Sequence, residues 1–168
     1  MNDIVNSSIK TISKSNFILK ELTNQQLSDT SIPPYNSCIG SHVRHILDFY
    51  RCIFKGYKSG HVDLTDRDRD LKIEQDCQCA IQNVTDIIDR LELLKSENAS
   101  DPIKVIDDLG QGKITIDYTL GSLLAQANSH TIHHYAIISY ILDQLGIVIN
   151  DPTFGYNPTT PISDFNLN

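Results

Sequence analysis

The sequence predicts an all-α fold: a four-helix bundle with a small β-hairpin between helices 3 and 4 and an extended C-terminal tail. Three observations predict it. Apolar residues recur at helical spacing in four long stretches. The breaks between these stretches are rich in Pro, Gly, Asn, Asp and Ser. Only residues 103–118 offer two β-rich runs flanking an Asp/Gly turn. The 168 residues fit a single domain, with a core over about 3–148 and a tail over 149–168.

The first helix is expected over residues 3–28. Ile4, Val5, Ile9, Ile12, Phe17, Ile18, Leu19 and Leu22 form its stripe, and Lys10, Lys14 and Lys20 fall off it. Pro33-Pro34 closes the connection that follows, because proline has no N–H to give and restricts the residue before it. Asn36 or Ser37 is the expected N-cap of the second helix, which runs to about Lys55 with Gly56 as its stop. Residues 56–65 read as a loop in which His61 is solvated. The run Asp66-Arg67-Asp68-Arg69-Asp70 reads as a solvated acidic first turn, suited to the dipole of a third helix. That helix continues through Cys77, Ala80, Ile81, Val84, Ile87, Ile88, Leu91 and Leu94 and breaks over 96–102. After the hairpin, Thr119 caps the fourth helix, which ends near Gly146. Phe154 and Tyr156 are expected to anchor the tail, with fraying beyond about residue 162.

Composition narrows the function. The net charge is -7, and the 14 basic residues form no patch, so nucleic acid is not an expected partner. No run approaches the ~18 apolar residues of a membrane span, and the N-terminal residues lack a signal-peptide pattern. No membrane partner and a cytoplasmic location are therefore expected. Cys38, Cys52, Cys77 and Cys79 read as reduced thiols in or near the core. Cys77-x-Cys79 lacks zinc-knuckle spacing, and a chain of this size needs no disulfide framework.

The histidines carry the chemistry. Three of the six lie in Ser129-His130-Thr131-Ile132-His133-His134-Tyr135. Residues four apart share a helix face, so His130 and His134 point the same way. Counted in sevens, one seam row is Leu120, Ala127, His134 and Ile141. The other is Leu123/Leu124, His130, Ile137/Ile138 and Leu145. Both histidines thus occupy core positions, where each ring nitrogen needs a partner, and a shared metal ion supplies one. The second helix adds His42 and His45, three apart on or beside its apolar face. Packing the two helices together offers three or more imidazoles to one point. Three protein nitrogens with a coordination position left open are the pattern of a reactive metal site.

Arg44-His45-Ile46-Leu47-Asp48 and Ser129-His130-Thr131-Ile132-His133-His134 resemble the two motifs of the DinB-like/YfiT-like metalloenzyme superfamily, with the likeness covering roughly residues 5–160. The family's early motif is a histidine followed by two apolar residues and often an aspartate, which His45 meets and His42 does not. Its late motif uses the outer pair of H-x-x-x-H. The resemblance therefore implies a three-histidine metal site of His45, His130 and His134, and an up-down-down-up order of the four helices. It also implies small-molecule chemistry, since thiol S-transferases using bacillithiol, mycothiol or glutathione occur in the superfamily. Many members follow the late motif with Arg-Gly-Gln, where this chain has Tyr135-Ala136-Ile137. The Arg67-x-Arg69-Asp70-x-x-x-Glu74 run resembles an element of one sub-branch, which would place Arg67 and Arg69 at one side of the pocket.

Around the trio, His42 and His133 are next in line as alternate ligands, hydrogen-bonding partners or proton carriers. Asp48 is a candidate orienter of His45. Tyr50 and Tyr135 are candidates to line the pocket, although aromatics at helical spacing also serve as plain core. Zinc or nickel suits three imidazoles best, with iron and manganese also compatible. The expected chemistry is Lewis-acid activation of water or of a low-molecular-weight thiol that attacks a small electrophile. Three readings stand. One is a metal-dependent transferase or hydrolase. The second is a non-catalytic bundle that binds a metal or small ligand. The third is a structural bundle with hydrogen-bonded histidines, serving as a homodimerisation unit.

Overall fold

A computed structural model describes residues 1–161. The expected fraying beyond residue 162 lies outside the described residues. In chain order the elements are α1 (Asn2–Glu21), α2 (Asn24–Leu27), α3 (Ile39–Gly56), β1 (His61–Asp63), α4 (Lys72–Gln75), α5 (Cys77–Leu93), β2 (Pro102–Asp108), β3 (Lys113–Thr119) and α6 (Leu120–Gln144).

The fold is mixed α/β, which corrects the all-α four-helix bundle expected from the sequence. Among the described residues six helices accompany a three-stranded mixed sheet in the order β1-β2-β3. The expected hairpin is present as β2 and β3, antiparallel from Pro102 opposite Thr119 to Asp108 opposite Lys113. It does not stand alone. The stretch read as a loop after α3 contains β1, which runs parallel to β2 with His61, Val62 and Asp63 opposite Lys104, Val105 and Ile106. A parallel pair cannot close through a tight turn and needs a long crossover, here α4 and α5. Val62 and Leu64 from this segment are buried, and Leu64 N–H extends the pairing by donating to Ile106 O at 2.9 Å.

Two expected helices are also broken. The first ends at Glu21, with Leu22 extended. Thr23 then opens α2 with a capping box, its hydroxyl accepting from Gln26 N–H while the Gln26 side chain accepts from Thr23 N–H. The expected third helix divides at Asp76, whose extended backbone ends α4 and whose carboxylate accepts from Gln78 and Cys79 N–H to start α5. Residues 66–70 form no helical turn, and Arg69 takes a left-handed φ of 54°. The N-cap of α3 is Cys38 rather than Asn36 or Ser37, with its thiol accepting from Ser41 N–H at 3.2 Å. All four cysteines are free thiols.

The remaining elements follow their sequence signals. Thr119 caps α6 through Ser122, and Gly146 takes φ 67° just past its end. Phe154 is buried and stacks on Tyr135 at 4.6 Å between ring centroids, while Tyr156 is 40% exposed, so Phe154 is the tail's buried anchor. The core lies where α1 meets α5 and α6, and where α3 packs on α6, α5 and β1. Val5, Ile12, Ile46, Val84, Leu124 and Ile138 are fully buried within it. No helix is long and apolar enough to cross a membrane among the described residues.

Candidate metal centre

The α3–α6 contact brings the two histidine groups together. Because α6 is one uninterrupted helix, His130 and His134 lie one turn apart, with ring centroids at 4.5 Å. His45, near the start of α3, faces both, at 4.8 Å from His130 and 4.7 Å from His134. One nitrogen from each ring lies within 4.8 Å of the other two, an arrangement able to hold a metal ion. Nitrogens around a zinc ion at ~2.0–2.1 Å sit roughly 3.4 Å apart, so side-chain rotation closing the cluster by up to about 1.4 Å would complete the coordination.

Two features of this structure suit the donor set to a cation. Nε2 of His130 is buried and has no hydrogen-bond partner, an orphan that a metal ion would satisfy. All three rings are also held neutral, the state in which an imidazole ligates. Burial is the main cause and takes His45 to about 3, His130 to about 4 and His134 to about 2. The Arg67 charge adds to the effect on His45 and His130, and the neighbouring imidazoles add to it on His134.

His42 joins the trio from outside. Its Nδ1 lies 3.0 Å from Nδ1 of His134, and its Nε2 lies 2.9 Å from Ser37 Oγ. His133 is exposed, with its ring 5.3 Å from that of His134. Arg67 reaches the cluster from the segment after β1. Its Nε donates to Leu64 O at 3.0 Å and its Nη1 donates to His45 Nδ1 at 3.1 Å. Arg69 is exposed.

The carboxylate of Asp48 goes to Arg44 at 2.8 Å rather than to His45, and Arg44 in turn binds Glu74 at 2.5 Å. Tyr50 is fully buried, with its phenol oxygen 3.5 Å from Thr131 Oγ1. The Tyr135 hydroxyl lies 2.6 Å from Ser15 Oγ, in the α1–α6 contact. Both tyrosines are core side chains.

Phe49 and Ser37 are site neighbours that the sequence reading passed over. Phe49 is buried, with its ring 4.9 Å from that of His130, and walls the cluster on one side. Its signal was present, because Phe49 follows His45 by four residues on the same helix face. A cleft of about 460 Å³ lies elsewhere, between α1, α6 and the tail, lined by Lys10, Lys14, Asn128, Tyr135 and Tyr156 among others. Among the described residues its lining has no histidine, cysteine or carboxylate, and it shares no residue with the three-histidine cluster.

Fold and geometry together define a mixed α/β protein with a three-histidine cluster able to hold a metal ion. No protein-family model matches the chain, and no curated protein matches it.

Proposed function

We propose that this protein is a DinB-like divalent-metal enzyme that holds one ion through His45, His130 and His134 and acts on small electrophilic molecules, as a thiol-dependent S-transferase or a hydrolase. The observation that carries the reading is the convergence of three neutral imidazoles on one point, with a buried His130 nitrogen lacking any partner. The two histidine motifs and their likeness to the superfamily support it. Zinc or nickel is the ion favoured by an all-imidazole set, with iron and manganese as further candidates.

When bound, such an ion supplies Lewis acidity that generates a nucleophile near neutral pH. The chain's own residues set the conditions. His42 Nδ1 accepts from the Nδ1 N–H of His134 while its own Nε2 N–H donates to Ser37 Oγ, which fixes the His134 ring and leaves its other nitrogen for ligation. Phe49 excludes water beside His130. Cys52 is an unsuitable internal nucleophile, since it is buried, donates to Asp66 O, and has its thiol pushed up to about 11 chiefly by burial. A thiol nucleophile therefore comes from a low-molecular-weight partner.

Elemental analysis of protein purified without an affinity tag, beside the His45→Ala, His130→Ala and His134→Ala variants, tests the reading. About one divalent ion per chain, lost in each variant, is expected. A wild-type chain that takes up no zinc or nickel after incubation would overturn it. With metal bound, turnover of an electrophile with an added thiol separates the enzyme from a non-catalytic metal-binding module.

A further inference from the structure

The guanidinium of Arg67 reaches the histidine cluster without an ion-pair partner among the described residues. Most acids around it are committed elsewhere: Asp66 and Asp68 pair with Lys55, Glu74 pairs with Arg44, and Asp70 accepts from Lys72 N–H. Asp107 of β2, whose charge acts on His130, accepts from Asp108 N–H and makes no ion pair with Arg67. Among the described residues no carboxylate pairs with Arg67. It is half-buried, and its sole hydrogen-bond acceptors there are Leu64 O and the lone pair on His45 Nδ1.

A neutral imidazole has one lone pair in its ring plane. Arg67 uses that of His45. Ligation of an ion by His45 ends this contact whichever nitrogen binds. At Nδ1 the ion takes the lone pair itself. At Nε2 the ring proton must move to Nδ1, where it meets the Arg67 N–H. Nε stays engaged with Leu64 O, so the two terminal nitrogens are released as a pair of donors, beside a second positive charge.

Resting on the metal reading above, we propose that Arg67 is the recognition residue for a carboxylate on the small-molecule substrate, held by the terminal fork of the guanidinium beside the metal centre. The fork matches the two oxygens of a planar carboxylate, and the anion supplies Arg67 with an ion-pair partner that no described carboxylate gives it. The same competition for His45 means that Arg67 opposes metal binding in the absence of an anion. Removing Arg67 should therefore leave metal affinity unchanged or raised.

The test uses the full chain loaded with Co²⁺, wild type beside Arg67→Ala and Arg67→Lys. Cobalt content is measured first, and acetate is then titrated against the visible absorption of the ion, with acetamide as the uncharged control. Cobalt retained in all three, with acetate binding weakened about 10- to 100-fold in Arg67→Ala and partly restored in Arg67→Lys, is the expected result. Acetamide should bind weakly and equally to all three. Equal acetate affinity in the three proteins would overturn the role of Arg67 and leave the metal reading standing. Cobalt content near zero in the wild type would overturn both, and because it is read before acetate is added the two failures are distinct. Loss of cobalt in Arg67→Ala and Arg67→Lys alone would also overturn the proposal, since Arg67 would then support the site rather than compete with it.

Discussion

Nδ1 of His42 and Nδ1 of His134 lie 3.0 Å apart, so one ring must give its proton to the lone pair of the other. Ligation by the far nitrogen of His134 makes that ring the donor and His42 the acceptor. A His42→Ala substitution removes the acceptor and frees the His134 ring to rotate. Metal affinity should fall by about 10- to 100-fold, against a near-complete loss for His134→Ala. Competition with a chelator of known affinity measures both.

Acid should destabilise the metal-free protein in a defined window. His45, His130 and His134 are held at about 3, 4 and 2, well below the ~6.5 of an imidazole in the unfolded chain. Below about pH 6.5 the unfolded chain therefore binds more protons than the folded one, and stability falls with pH until the folded rings themselves protonate. Each extra proton contributes at most about 1.4 kcal/mol per pH unit, reduced here because the rings are partly open to solvent. Urea midpoints should be lower at about pH 5 than at about pH 7.5. Replacing His45 and His134 by Phe should flatten the difference, and an unchanged wild-type midpoint would refute the burial of neutral rings.

The histidine cluster was legible because it depends on local spacing. His130 and His134 share a face by their separation alone, and His45 sits on the apolar side of another helix. The β2–β3 hairpin was legible, but the third strand was not, because β1 has three residues and its partner begins about forty positions later. A parallel strand that short carries no turn and no alternation long enough to read. The break at Thr23 had a signal in Thr23-x-x-Gln26 that the surrounding apolar periodicity masked. Arg67 was signalled by the family resemblance alone, and not by its spacing. In Asp66-Arg67-Asp68-Arg69-Asp70 the charges alternate as on a solvated turn, and only tertiary packing sends Asp66 and Asp68 to Lys55 and Arg67 to His45.

Asp48 should matter for stability rather than for metal binding. It is fully buried, pairs with Arg44 at 2.8 Å and lies 3.8 Å from Arg51. Asp48→Ala leaves these partly buried guanidinium groups without their shared carboxylate and should destabilise by about 3–5 kcal/mol in urea unfolding. Metal stoichiometry measured under native conditions should stay near wild type, because the carboxylate makes no contact with His45. Loss of metal from a folded Asp48→Ala protein would instead assign Asp48 to the site.

Gly56 tests whether β1 holds the Arg67 segment in place. A Cβ built at this position would lie 2.0 Å from His61 O and 2.9 Å from Val62 Cα, both backbone atoms that cannot rotate away. Gly56→Ala must therefore push β1 off the end of α3. Strand β1 leads directly into Leu64, whose carbonyl anchors Arg67 Nε and whose N–H bonds Ile106 O. The substitution should cost at least about 2 kcal/mol, more than ordinary overpacking against movable side chains. Gly110→Ala is the comparison, since a Cβ there meets nothing within 4 Å and only its φ of +93° opposes the change. Urea unfolding should rank Gly56→Ala as the more destabilised. Hydrogen exchange should show faster exchange at Leu64 in that variant than in the wild type, with the α6 amides around His130 little changed. Equal stability of the two variants would mean that β1 yields freely and that Arg67 is positioned without it.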